Sequence, residues 1–167
     1  MKDFYTEFRN DHRKIRDLIM DLMAAFVQKD VVRADKLIEK LNAIAGPHFQ
    51  FEEKTLYPEL IPIYGLEYLE KLYVDHDLLI ARIKEIKKLI KKNNLNEEDV
   101  DKGINLLRGL LPHLSDCEGL TIMVEKFDQA EIDRILLSMK NARLMNTGLL
   151  NWSDNGRPRK QLSIKQP

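Results

Sequence analysis

Four histidines occur in the 167 residues: His12, His48, His76 and His113. Each falls in step with an apolar stripe. His12 continues Phe4 and Phe8 toward Ile15 and Ile19, and His48 follows Leu37, Leu41 and Ile44. His76 lies between Leu72 and Leu79, and His113 follows Leu106 and Leu110. This three-to-four spacing marks one face of a helix, so all four imidazoles point inward, one from each of four helices. A single inward histidine reads as a satisfied core residue. Four of them in one core would each need a buried partner, and a shared metal supplies partners for all.

Carboxylates extend the pattern. Glu52 stands four residues after His48 in AGPHFQFEEKTLYP, residues 45–58. At helical pitch it is turned only about 40° from His48, so both face the core. An unpaired ionised glutamate there costs several kcal/mol, a cost that a dication removes. Glu118 stands five residues after His113, off the ideal face unless Pro112 distorts the helix, although it also extends the stripe Leu107, Leu111, Leu114. Imidazole with bridging carboxylate suits iron or manganese better than a thiolate zinc site. Asp11 and Asp75, each beside a candidate ligand histidine, read either as outer groups that orient those rings or as charges facing solvent.

The chain repeats itself. NDHRKIRDLI (10–19) matches VDHDLLIARI (74–83), and GPHFQFEEK (46–54) matches LPHLSDCEG (111–119). His12 and His76 are 64 positions apart (76 − 12), and His48 and His113 are 65 apart (113 − 48). A helical hairpin used twice places two half-sites face to face, each beginning with two histidines, and predicts two metal ions. The repeat also pairs Glu53 with Glu118, which keeps Glu53 as a reserve ligand.

These residues need helices to hold them. The spacing predicts a helix over 3–29, a second from Asp30 kinked at Gly46-Pro47 and ended by Pro58, Pro62 and Gly65, and a third from about Leu66 to Lys92. Asn96 with Asp99 resembles a capping box opening a fourth helix, kinked at Pro112; Asp128 with Glu131 opens a fifth, through about Arg143. Long helices with short connections give an all-α, antiparallel up-down four-helix bundle with an additional C-terminal helix. Residues 1–145 are read as one metal-binding domain including the fifth helix. Residues 146–167 are read as an extended or mobile polar tail, with Trp152 and Leu149-Leu150 available to pin part of it to the body or to a partner.

Composition supports this reading. Only seven Gly and six Pro argue against a β-sandwich or barrel. Lys+Arg and Asp+Glu are both 27, so no overall field favours nucleic acid or a membrane surface. No apolar run approaches the roughly 20 residues of a membrane span. The single cysteine, Cys117, excludes an intrachain disulfide, and MKDFYTEFRNDHRK has no apolar signal core, so a soluble cytoplasmic protein is expected.

The set His12, His48-x-x-x-Glu52, His76 and His113-x-x-x-x-Glu118, followed by the LYP at 56–58, resembles the hemerythrin-like (HHE cation-binding) domain family over roughly residues 5–126. The resemblance implies two iron ions joined by an oxo or hydroxo bridge, and leaves manganese or mixed occupancy open. Glu52 and Glu118 would bridge the ions; His12 and His48 would serve one, His76 and His113 the other. Hemerythrins proper carry His-x-x-x-His on the third helix. Here that position is Leu72, which argues against simple reversible oxygen carriage and for a more open site. Tyr73 is near enough in sequence to approach it, or packs in the core. Cys117, where many relatives have a second glutamate, is either a further ligand or a buried structural cysteine.

The function expected is binding of O2 or a related small diatomic, in sensing, buffering or stress response. Nitric oxide and peroxide are the other small ligands in view. A di-iron enzyme (peroxidase, oxidase, nitric-oxide handling or iron–sulfur repair) is the alternative, and a metal-free helical adaptor a third. The tail is the candidate for partner binding or self-association.

Overall fold

A computed structural model describes residues 3–159, and these are helical almost throughout. Helix α1 spans Phe4–Val27, opened by Asp3, whose carboxylate accepts from the Thr6 backbone N–H at 2.7 Å. Its stripe of Phe4, Phe8, Ile15, Ile19, Leu22 and Phe26 is buried as the spacing predicts. Helix α2 spans Val31–Phe51, capped by Asp30. It does not stop at the prolines. A π-helical segment, Glu52–Leu56, leads directly into α3, Tyr57–Tyr64. Pro58 sits in the first turn of α3 and Pro62 within it; Gly65, at φ 79°, ends the run.

Helix α4 spans Leu66–Ile90. The Asn96–Asp99 capping box is present and opens α5, Glu97–Arg108. The expected kink at Pro112 is instead a break. Helix α5 ends, and α6, Leu111–Val124, begins with Pro112 in its first turn, where the missing N–H leaves no bond unmade. The Asp128–Glu131 capping box likewise opens α7, Gln129–Met145.

Helices α1, α2–α3, α4 and α5–α6 form the bundle, with α7 packed across α2 and α1. Residues 149–155, expected to be extended or mobile, form a short helix α8 with Leu149 and Trp152 buried. Asn42 on α2 accepts from the Leu150 N–H at 2.9 Å and so caps it. Gly46 permits this docking. A Cβ there would stand 2.2 Å from the Thr147 carbonyl oxygen and 2.5 Å from the Leu149 nitrogen. The remainder of the tail reading, 160–167, lies outside the described residues.

The buried apolar residues fall into two clusters. One gathers Ile15 to Phe26 with Leu37 to Phe49 and Leu79 to Ile90; the other gathers Phe4, Phe8, Phe51 to Leu60 and Cys117 to Val124. In each bundle helix the histidine stands at or within two residues of the position where one cluster gives way to the other. A polar layer therefore crosses the bundle between two apolar halves.

Candidate metal centre

Packing sets the rings. His76 stacks on Phe49, centroids 3.9 Å apart and planes 10° from parallel, while Phe8 lies 4.4 Å from the His12 ring. The imidazoles meet in two pairs. His12 Nε2 is 2.9 Å from His48 Nε2, and His76 Nε2 is 2.9 Å from His113 Nε2.

Glu52 lies between the pairs. Its Oε1 is 3.4 Å from His48 Nε2 and its Oε2 is 3.2 Å from His76 Nε2. The side chain is 0% exposed, and neither oxygen has a hydrogen-bond partner. Two groups of three potential ligands result, His12–His48–Glu52 and Glu52–His76–His113, sharing the one carboxylate. Ligands at right angles around an ion with bonds of about 2.1 Å stand about 3 Å apart, so both groups have the spacing of a metal's coordination shell. An orphaned buried carboxylate facing two imidazole pairs fits a pair of cations.

The electrostatics agree. Burial and the neighbouring imidazole drive His12 and His113 down to about 3. Burial opposes charge on His48 as well, but Glu52 and Asp11 outweigh it and raise that ring to about 9. Glu52 and Glu53 raise His76 against burial in the same way. Burial pushes the Glu52 carboxyl up, and His48 and His76 more than reverse this, holding it well below the usual carboxylate range. Without metal, the Glu52 carboxylate lies between His48 and His76, the two rings whose protonated form it favours against burial, so positive charge is favoured on both sides of Glu52.

Glu118 is not brought into either group. It is 46% exposed, with Oε1 3.6 Å from His12 Nδ1. The reason is that α6 is a regular helix through Leu111–Val124, so five residues from His113 is the wrong face. The repeat explains its position. The counterpart of Glu52 is Cys117, while Glu118 matches Glu53, and both of those glutamates lie against the Nδ1 of a histidine. Glu53, kept in reserve as a ligand, is buried with Oε1 2.8 Å from His76 Nδ1. The π-helical segment makes this possible. The Tyr57 N–H reaches back five residues to the Glu52 carbonyl, and adjacent Glu52, Glu53 and then Leu56 and Tyr57 are all buried.

Cys117 is buried, its Sγ 3.3 Å from His113 Nε2. Burial and Glu52 raise its thiol well above the ordinary value, so it is held as the thiol. Tyr57, not singled out by the sequence beyond the LYP motif, places its hydroxyl 3.1 Å from His76 Nε2 and 3.4 Å from Cys117 Sγ. Tyr73 does not reach the layer. Its hydroxyl donates to the Glu53 backbone carbonyl at 3.1 Å. Asp11 is the outer partner of His48, at 3.6 Å from Nδ1, rather than of its neighbour His12, and Asp75 is half-buried near Lys71 and Arg82. The two half-sites therefore differ. Tyr57 and Cys117 stand beside the His76–His113 pair, and an open pocket reaches each pair: about 340 Å³ along His12 with Arg13, Arg16, Leu114 and Glu118, and about 320 Å³ along His113 with Lys71, Asp75, Arg82 and Asp116.

Among the described residues no helix is long and apolar enough to cross a membrane. Neither the curated proteins nor the solved structures gave a match. The model of the hemerythrin HHE cation-binding domain matches residues 3–120, the stretch that holds all four histidines and Glu52. With more than half of the chain covered and the metal-type donor layer inside that span, the protein belongs to the hemerythrin HHE cation-binding domain family.

Proposed function

We propose that the chain is a non-haem di-iron protein that binds dioxygen or a related small diatomic, in sensing, buffering or stress response. The observation that carries the reading is Glu52: fully buried, without a hydrogen-bond partner, and shared by two triads of ligand atoms. His12 and His48 would hold one ion, His76 and His113 the other, with Glu52 common to both. When bound, a reduced iron pair supplies the redox chemistry that makes a diatomic a ligand. The chain's own residues hold the rings in register and leave a pocket beside His12 and another beside His113, each open to a small molecule. Anaerobic reconstitution with ferrous iron followed by air should produce a near-ultraviolet charge-transfer band. A chain that takes up no iron, or takes it up unchanged after His48→Ala, contradicts the reading.

Tyr57 and Cys117 favour a second reading, an enzyme acting on peroxide or nitric oxide or in iron–sulfur repair. Both are oxidisable groups within 3.5 Å of ring nitrogens of His76 or His113. Turnover of peroxide or nitric oxide by the iron-loaded chain, lost in Tyr57→Phe or Cys117→Ser, supports it over simple binding.

A further inference from the structure

The family match ends at residue 120, yet two arginines beyond it reach the carboxylates that back the histidine layer. Arg157 is 8% exposed and grips Glu53 with two nitrogens, Nη2 to Oε1 at 2.6 Å and Nε to Oε2 at 2.9 Å. Its Nη1 binds Asp77, and its guanidinium lies 5.6 Å from the Trp152 ring. Glu53 in turn holds His76 Nδ1 at 2.8 Å. On the other side, Arg143 of α7 has Nη2 2.9 Å from Asp11 Oδ2, the same oxygen that stands 3.6 Å from His48 Nδ1. Arg143 also binds the Glu7 carboxylate and carbonyl, which anchors it.

The same order of groups, arginine to carboxylate to imidazole Nδ1, thus occurs twice, but only the His76 side is joined by hydrogen bonds throughout; on the His48 side Asp11 stands at ion-pair distance from an Nδ1 that has no hydrogen-bond partner. Each chain ends on one histidine of a different pair, and each leaves that ring's Nε2 toward Glu52. A carboxylate on the far nitrogen fixes a ligand ring's orientation and raises its basicity. A bidentate arginine fixes the carboxylate, because the planar fork accepts few orientations. We propose that the C-terminal extension, α7 and residues 149–159, is a working part of the metal centre: Arg157 is a positioning residue that holds His76 in its ligating orientation through Glu53, and Arg143 keeps the Asp11 charge beside His48. This deepens the two-ion reading and rests on it. The bundle domain supplies the ligands, and the added segment supplies the clamps.

The test titrates the full chain anaerobically with ferrous iron, following affinity by chelator competition and the two iron environments by Mössbauer spectroscopy. Arg157→Gln alone takes the guanidinium from the buried Glu53 carboxylate, while Asp77 keeps Arg159 at 3.1 Å, and it risks unfolding. Arg157→Gln is therefore combined with Glu53→Gln, which removes the facing charge and keeps an oxygen acceptor for His76 Nδ1. The double variant should bind one of its two ions about 10- to 100-fold more weakly. One Mössbauer environment should change, and the other should stay as in the wild type. Arg143→Gln should affect the other environment. Arg157→Lys, which keeps the charge without the fork, should lie between wild type and double variant. Two ions held with wild-type affinity in the folded double variant overturn the inference and leave the two-ion reading standing. Equal loss of both ions together with loss of helix also overturns it, since Arg157 would then be merely structural. A wild-type chain that binds no ferrous iron removes both.

Discussion

At the scale of the residue, one carboxylate organises the site. Glu52 has no hydrogen-bond partner and favours positive charge beside it, which is why it raises His48 and His76 against burial. That balance has a pH signature. His12 and His113 are depressed to about 3 from the ordinary 6.5, so the unfolded chain binds more protons below 6.5 and stability falls as the pH drops from there. His48 is raised to about 9, so its contribution is complete below 6.5 and is lost as the pH rises toward 9. The metal-free protein should therefore be most stable near pH 6.5 in urea melts taken across pH 4–9, and a flat profile contradicts this. Glu118→Ala should leave metal content unchanged and affinity within about threefold, because its carboxylate is exposed and outside both triads; loss of an ion would make it a ligand. The histidines and Glu52 were legible because spacing at helical pitch decides which face a residue takes. Glu118 was expected to be turned inward by distortion at Pro112, and because α6 is regular its carboxylate stays 46% exposed, beside His12. The role of Glu53 was hidden because it depends on a π-helical turn and on Arg157, more than a hundred residues away.

At the scale of the element, the apolar stripes and capping boxes were enough to place most helices, since both are local codes. The boxes at Asn96 and Asp128 form as their sequences require. Prolines were less informative. Each of Pro58 and Pro112 falls in the first turn of a new helix, where sequence alone does not distinguish a start from a kink. Helix α8 was unreadable in a polar stretch because its stability comes from docking rather than propensity: Trp152 and Leu149 buried, Asn42 capping, Gly46 making room. Gly46→Ala puts a methyl group against backbone that cannot give way, and should cost about 1–3 kcal/mol. The urea midpoint should fall, and limited proteolysis should gain cleavage within 146–159. A variant as protease-resistant as the parent would show that α8 is held independently of Gly46.

At the scale of the molecule, two apolar halves enclose a polar layer that is costly without cations, so metal should bind the folded chain far better than the unfolded one. Ferrous iron at about a hundred times its Kd contributes about 2.7 kcal/mol. For a chain of this size that raises Tm by roughly 5–10 °C, and chelation should reverse the rise. The fold class followed from four inward histidines, one per helix, with few turn residues between. The docking of α7 and residues 149–159 did not, because it depends on long-range contacts, the arginine–carboxylate pairs of Arg143 and Arg157 among them, that have no local pattern. The central claim is that Glu52 is shared by two ions. Ferrous titration of the wild type beside Glu52→Gln, with metal counted per folded chain, tests it most directly. Two ions per wild-type chain are expected and fewer than one in the variant, which keeps all four histidines but loses the shared charge. Two ions retained by Glu52→Gln, with wild-type affinity, would contradict it.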